Sequence, residues 1–213
     1  MIEFNIISDS SSTEYRDAMG IYLEAFPDNE RQSLAKIKHR VEHGNYSLIM
    51  VKKNRSVAGF SLLCPFPDLN FGLLDYMAVQ KDQRNRGIGS KLFAKTFEFL
   101  KQGIPSSFLL LEVEDPAFGS PSERVARLRR LRFYQRLGVK AVTNFRYLMP
   151  PMAGNSPTNM LLMVYTGNNL VALNSQSLAH IVTAIYFNIY ERDEDDPYLG
   201  QMLENIPDSI VLI

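Results

Sequence analysis

Residues 84–92, RNRGIGSKL, pack two glycines and three basic residues into the passage from a run that reads as a strand, LLDYMAV, to one that reads as a helix, KLFAKTFEFLKQG. The common nucleotide loops do not fit there. A GxxxxGK[ST] loop needs a glycine where Arg84 stands, and a GxGxxG fingerprint needs one where the chain has Leu92. What remains is RxxGxG, Arg84 to Gly89. Without side chains at Gly87 and Gly89, an anion can approach the main chain around Ile88 and Ser90. The first-turn amides of a helix have no partners within it, and the helix dipole favours negative charge. Arg84 and Arg86 add charge-assisted donors. Taken alone, the pattern fits a glycine turn with solvated basic residues as well as it fits a pyrophosphate cradle.

Working outward, the helix predicted from Ser90 to Lys101 puts Leu92, Phe93, Thr96, Phe97 and Leu100 on one side and Lys91, Lys95, Glu98 and Gln102 on the other. Gly103 and Pro105 stop it. SFLLLEVED, residues 107–115, is apolar almost throughout until its acids, as a strand covered on both faces is, and is expected beside LLDYMAV as a parallel partner. Strand, helix and parallel strand make a right-handed crossover. Its loop lies at the carboxyl end of the first strand, where open α/β sheets bind ligands.

Upstream, IEFNII reads as a short strand and SSSTEYRDAMGIYLEAF as a helix, in which Ser11 and Glu14 have capping-box spacing. Ser33 to His43 repeats a helical stripe, YSLIMV and VAGFSLL form a hairpin about KKNRS, and FGLLDYMAV completes a meander. Downstream come a helix from Pro121 to Leu137 and two strands, KAVTNFRYLMP and NMLLMVYTG, joined by the loose turn PMAGNSPT. From Asn174 the texture changes. SLAHIVTAIYFNIYER is helical with Ile181, Val182, Ile185 and Ile189 in register, ERDEDD is an acidic run suited to solvent, and PYLGQMLEN is a last short helix.

The charges balance, with 23 Lys plus Arg against 23 Asp plus Glu in 213 residues, so no global field recruits nucleic acid or an acidic membrane, and charge recognition must be local. No secretory signal stands at Met1, and no apolar run approaches the ~20 residues of a membrane helix, so the expected location is cytoplasmic. The lone Cys64 reads as a small core residue. His39 and His43 have metal-pair spacing but lack a third ligand, His180 is alone, and no metal site is expected.

The order strand, two helices, three-strand meander, glycine loop, helix, strand, helix, two strands, together with MAVQKDQRNRGIGSKLF and FYQRLGVKAV, resembles the GCN5-related N-acetyltransferase (GNAT) superfamily over about residues 1–166. The resemblance implies an α/β fold with a central mixed β-sheet flanked by helices, here with a C-terminal helical addition. Residues 1–166 would form the acyl-CoA N-acyltransferase domain and residues 167–213 an extension packed on it. It also implies acetyl-CoA as co-substrate. The pyrophosphate would lie on the amides around Arg84, Arg86, Gly87, Ile88, Gly89 and Ser90, and the pantetheine arm along the main chain of Met77, Ala78 and Val79.

Tyr134 matches the tyrosine that many members place near the sulfur, where it protonates the departing thiolate as a neutral amine attacks the thioester directly. The amine must first lose a proton. Glu112 and Glu114, on one face of their strand by alternation, and Asp75 on the neighbouring strand are the candidate bases, since a partly desolvated carboxylate gains basicity. The segment before Tyr134 departs from the family pattern, with Arg127 and Arg130 where members commonly carry asparagine and alanine. They belong to an arginine-rich helix that reads as a solvated face or as a source of one contact to the 3′-phosphate of CoA or to an acidic acceptor. The expected partner is a small-molecule or protein amine, and a homodimer is left open. The alternative is a catalytically weak acyl-CoA-binding module with a regulatory or partner-docking role.

Overall fold

The computed structural model describes residues 1–152, 156–167 and 173–213. Its fold is α/β, a central mixed sheet flanked by helices. Two compact units divide the chain, Met1–Leu109 and Leu110–Ile213.

In the first unit, β1 (Ile2–Ile7), β2 (Ser47–Lys53), β3 (Ser56–Phe66) and β4 (Phe71–Val79) follow one another in antiparallel order. Helices α1 (Thr13–Ala25) and α2 (Leu34–Glu42) come between β1 and β2, and α3 (Ile88–Gly103) follows β4. Adjacent residues of β3 show which helix covers which face. The Phe60 ring meets Tyr22 of α1 edge-on at 6.1 Å, whereas Ser61 Oγ bonds Thr96 Oγ1 of α3 at 2.6 Å. Successive strand residues point to opposite faces, so α1 and α3 sandwich the sheet. Both layers are closed to solvent at these residues, with Tyr22, Phe60, Leu62 and Leu92 fully buried. The N-cap of α1 is Ser12, which accepts from Tyr15 N at 3.1 Å. The expected Ser11–Glu14 pair does not form, because Ser11 is turned to Asp9 and Glu14 to Lys52.

In the second unit, β5 (Phe108–Glu114), which starts at the unit boundary, neighbours β8 (Thr158–Tyr165), and β8 pairs antiparallel with both β6 (Lys140–Ala141) and β7 (Tyr147–Met149). KAVTNFRYLMP is therefore two short strands rather than one. Between them the chain finds a different partner: Thr143 N donates to Val211 O at 3.1 Å, and Asn144 accepts from Val211 N at 3.0 Å. The remaining helices are α4 (Pro121–Arg136), α5 (Ser175–Asn188) and α6 (Pro197–Glu204). Tyr186 of α5 donates to Leu148 O, and Met202 of α6 accepts from Leu148 N. The end of the chain pairs along β6, where Ala141 and Ile213 exchange backbone bonds of 2.8 and 3.0 Å. The turn read at PMAGNSPT lies partly outside the described residues.

Candidate functional site

The first candidate is the loop from β4 to α3. Arg84 donates from Nε to Val79 O at 2.9 Å, tying the loop to the end of the strand. Asn85 and Gly87 then take left-handed conformations, with φ of 61° and 75°, a region costly for most side chains and free for glycine. Helix α3 starts at Ile88, two residues earlier than the periodicity suggested, with buried Ile88 as its anchor. Ser90 therefore sits in the first turn rather than at its edge.

No side chain caps this terminus, and the first helical bond runs from Lys91 N to Gly87 O at 3.2 Å. The amides of Ile88, Gly89 and Ser90 find no acceptor among the described residues. The other α-helices each carry a side-chain cap, from Ser12, Ser33, Ser120, Asn174 and Asp196. Donors left open at a positive helix end, with Arg86 and Lys91 exposed beside them, suit a phosphate group.

The second feature of this unit is a buried polar cluster about Asp75. The pairing of β3 with β4 runs Leu62↔Tyr76 and then Leu63↔Leu74, so Asp75 is the extra residue of a bulge. Bulges re-aim side chains. This one delivers the carboxyl to Tyr46 and Gln32: Asp75 Oδ2 accepts from the Tyr46 hydroxyl and, at 3.0 Å, from Gln32 Nε2. Arg40 in turn donates to Tyr46 OH at 2.9 Å. Oδ1 takes no hydrogen bond from the described residues. Loss of hydration raises the Asp75 carboxyl to about 6, against the opposing pull of Tyr46, Arg40 and Lys36. Burial also pushes the Cys64 thiol up to about 12, which leaves it inert and fits its place in the core. Asp75 lies two residues before Met77–Val79 on the same strand.

The remaining candidates lie in the second unit. Tyr134, on α4, is 8 % exposed, and burial raises its hydroxyl to about 12 despite Arg130, so it stays protonated at neutral pH. Arg127 and Arg130 share its face of the helix and hold Glu114. Arg127 Nη2 is 3.0 Å from Oε1 and Arg130 Nη1 2.6 Å from Oε2. These are the two positions that depart from the family pattern, and the clamp accounts for them. Arg127 also donates to Phe118 O at 3.0 Å, and its guanidinium lies 2.8 Å from where a Cβ of Gly119 would stand. Glu112 is held differently, by the hydroxyls of Tyr147 at 2.6 Å and Tyr190 at 2.7 Å.

Gln32, Arg40 and Tyr46 were not visible as site residues in the sequence, since nothing local marks a glutamine or an arginine for burial. His39 and His43 stack at 4.0 Å, and no group of three or more metal-binding side chains occurs among the described residues. No helix among them is long and apolar enough to cross a membrane.

Comparison with known proteins gives a consistent result. The family described as "Acetyltransferase (GNAT) family" matches residues 12–139. The chain is 28% identical over 144 residues, 68% of each protein, to "Putative acetyltransferase YjbC" of Bacillus subtilis (strain 168). Among solved structures it is similar to a GNAT-family protein of Bacteroides thetaiotaomicron, with 25% identity, a TM-score of 0.71 and coverage of 90% of this chain and 99% of that one. A Bacillus subtilis acetyltransferase in complex with CoA shares the fold, with 11% identity, a TM-score of 0.54 and coverage of 78% and 99%.

Proposed function

Because the chain belongs to the acetyltransferase (GNAT) family, we propose that it transfers an acetyl group from acetyl-CoA to a primary amine, of a small molecule or a protein, by direct attack. The observation that carries this reading is the start of α3, where the amides of Ile88, Gly89 and Ser90 stand uncapped behind a left-handed glycine. In this reading those amides, with Arg86, bind the pyrophosphate, and the main chain of Met77, Ala78 and Val79 binds the pantetheine arm. Bound acetyl-CoA supplies an activated thioester. The domain assigned to this work is residues 1–166, with 167–213 as an extension.

Asp75 is the proposed base. Its carboxyl, set near 6, is ionised at neutral pH, and Oδ1 is open to take the proton that the amine loses as its nitrogen bonds the acyl carbon. Tyr134, protonated at the same pH, donates its hydrogen to the sulfur as the carbon–sulfur bond breaks. One proton leaves nitrogen and one reaches sulfur, so the step balances. Glu112 and Glu114 are assigned to support, because Glu112 Oε1 already accepts from two phenols and each Glu114 oxygen meets a guanidinium.

The test is thermal unfolding with acetyl-CoA, against adenosine 3′,5′-bisphosphate as control, followed by thiol release over a panel of amines. Ligand at a hundredfold its Kd should stabilise the protein by about 2.7 kcal/mol, a shift of several degrees. Equal shifts with both ligands would remove the thioester arm from the reading. A shift without thiol release from any amine would favour the acyl-CoA-binding module.

A further inference from the structure

Helix α4 has a second face, opposite Tyr134. Val125, Leu128, Arg129, Arg132 and Arg136 line an open groove of about 400 Å³ there. Val125 is 61% exposed and Leu128 38%. Arg129, Arg132 and Arg136 make no hydrogen bond or ion pair with any described residue. Their spacing stacks like charges one turn apart, which destabilises a helix unless an anion lies between them. The helix carries six arginines against one glutamate, yet the chain as a whole is neutral.

The compensating charge is concentrated in the same unit. Residues 191–196, ERDEDD, hold five acids and one arginine. Asp193, Glu194 and Asp195 are exposed, and the carboxyls of Glu194 and Asp195 have no hydrogen-bond or ion-pair partner among the described residues. Phe187, near the end of α5 and six residues before Asp193, is 42% exposed. An exposed acidic segment that follows an exposed aromatic ring in the chain is thus the complement of a basic groove with an apolar floor.

We propose that the chain self-associates as a two-fold dimer in which the α4 groove of each protomer takes the acidic segment Asp193–Asp195 of the other. A helix of 16 residues is about 24 Å long, so one such strip is small for a stable interface; two-fold symmetry makes the contact twice and closes it. The proposal uses none of the residues assigned to the reaction and stands whether or not that assignment does.

Sedimentation velocity tests it on the full chain. At tens of micromolar and low salt the expected mass is twice the 24.3 kDa of one chain, moving toward the monomer at about 0.5 M salt. The double variant Arg132→Glu/Arg136→Glu and the double variant Glu194→Lys/Asp195→Lys should each weaken association at least about tenfold. Mixing the two should restore a dimer, since one contact is then reversed and the other native, and circular dichroism checks that both are folded. A wild type that stays monomeric, or a dimer that ignores both reversals, overturns the proposal. So does a monomer that binds heparin through Arg132 and Arg136, which would give the groove to a foreign polyanion.

Discussion

Helices α3 and α4 are both 16 residues long and each follows a strand through a short loop, yet they begin in opposite ways. At α4 every device for closing a terminus is present. Ser120 and Glu123 form a reciprocal capping box, Pro121 stands at the first position, and left-handed Gly119 lets the Arg127 guanidinium pass. At α3 there is Gly87 and no cap. A side-chain cap contributes about 1 kcal/mol, so the first turn of α3 forgoes a stabilisation its neighbour takes in full. In the proposed reading, the contrast separates a terminus that holds its loop from one that receives a ligand. The carboxylates repeat it: Glu114 is neutralised by two guanidiniums, while Asp75 is desolvated and keeps one oxygen open.

The strongest way to break the comparison is to fill the open terminus. Gly89→Glu puts bulk and negative charge among the first-turn amides and should abolish the acetyl-CoA thermal shift; undiminished binding by a folded variant would mean the anion sits elsewhere. Next in size is Asp75→Asn. With an amine identified by thiol release, kcat/KM should fall about a hundredfold, and the acidic limb with its midpoint near pH 6 should vanish. If Glu112→Gln removes that limb instead, Glu112 is the base.

The same Asp75 variant should be more stable than the wild type at neutral pH. A carboxyl whose folded value lies above its unfolded one favours the native state only while protonated, so stability is lost as pH rises from about 4 to 6 and stays lost above. Asparagine removes that cost, on the order of 3 kcal/mol, and the gain should shrink toward pH 4 in calorimetry. Tyr134→Phe should lower kcat by about tenfold while leaving acetyl-CoA affinity unchanged, and a loss of affinity would recast Tyr134 as a binding residue. The smallest effect belongs to the closed terminus. Ser120→Ala should cost about 1 kcal/mol in denaturant unfolding and leave the acetyl-CoA shift alone.

Strong periodicities were legible. FGLLDYMAV is a strand over the residues read, because alternation and flanking turns fix both ends, and the helix from Pro121 starts where proline permits it. KAVTNFRYLMP was misread because its alternation is real but its hydrogen bonds go to two partners, β8 and the chain end, and a partner distant in sequence leaves no local trace. The glycine loop stood out because missing side chains are displayed directly by a sequence, and the structure places a left-handed Gly87 and an uncapped helix start there.

The family and most of the helices and strands follow from the amino-acid sequence, since these rest on local conformational preferences and on spacing. Only the tertiary structure showed how each carboxylate is held. Asp75, Glu112 and Glu114 are all carboxylates in the sequence, and their differences lie in water lost, cations gained and a bulge of one residue, which depend on packing between elements.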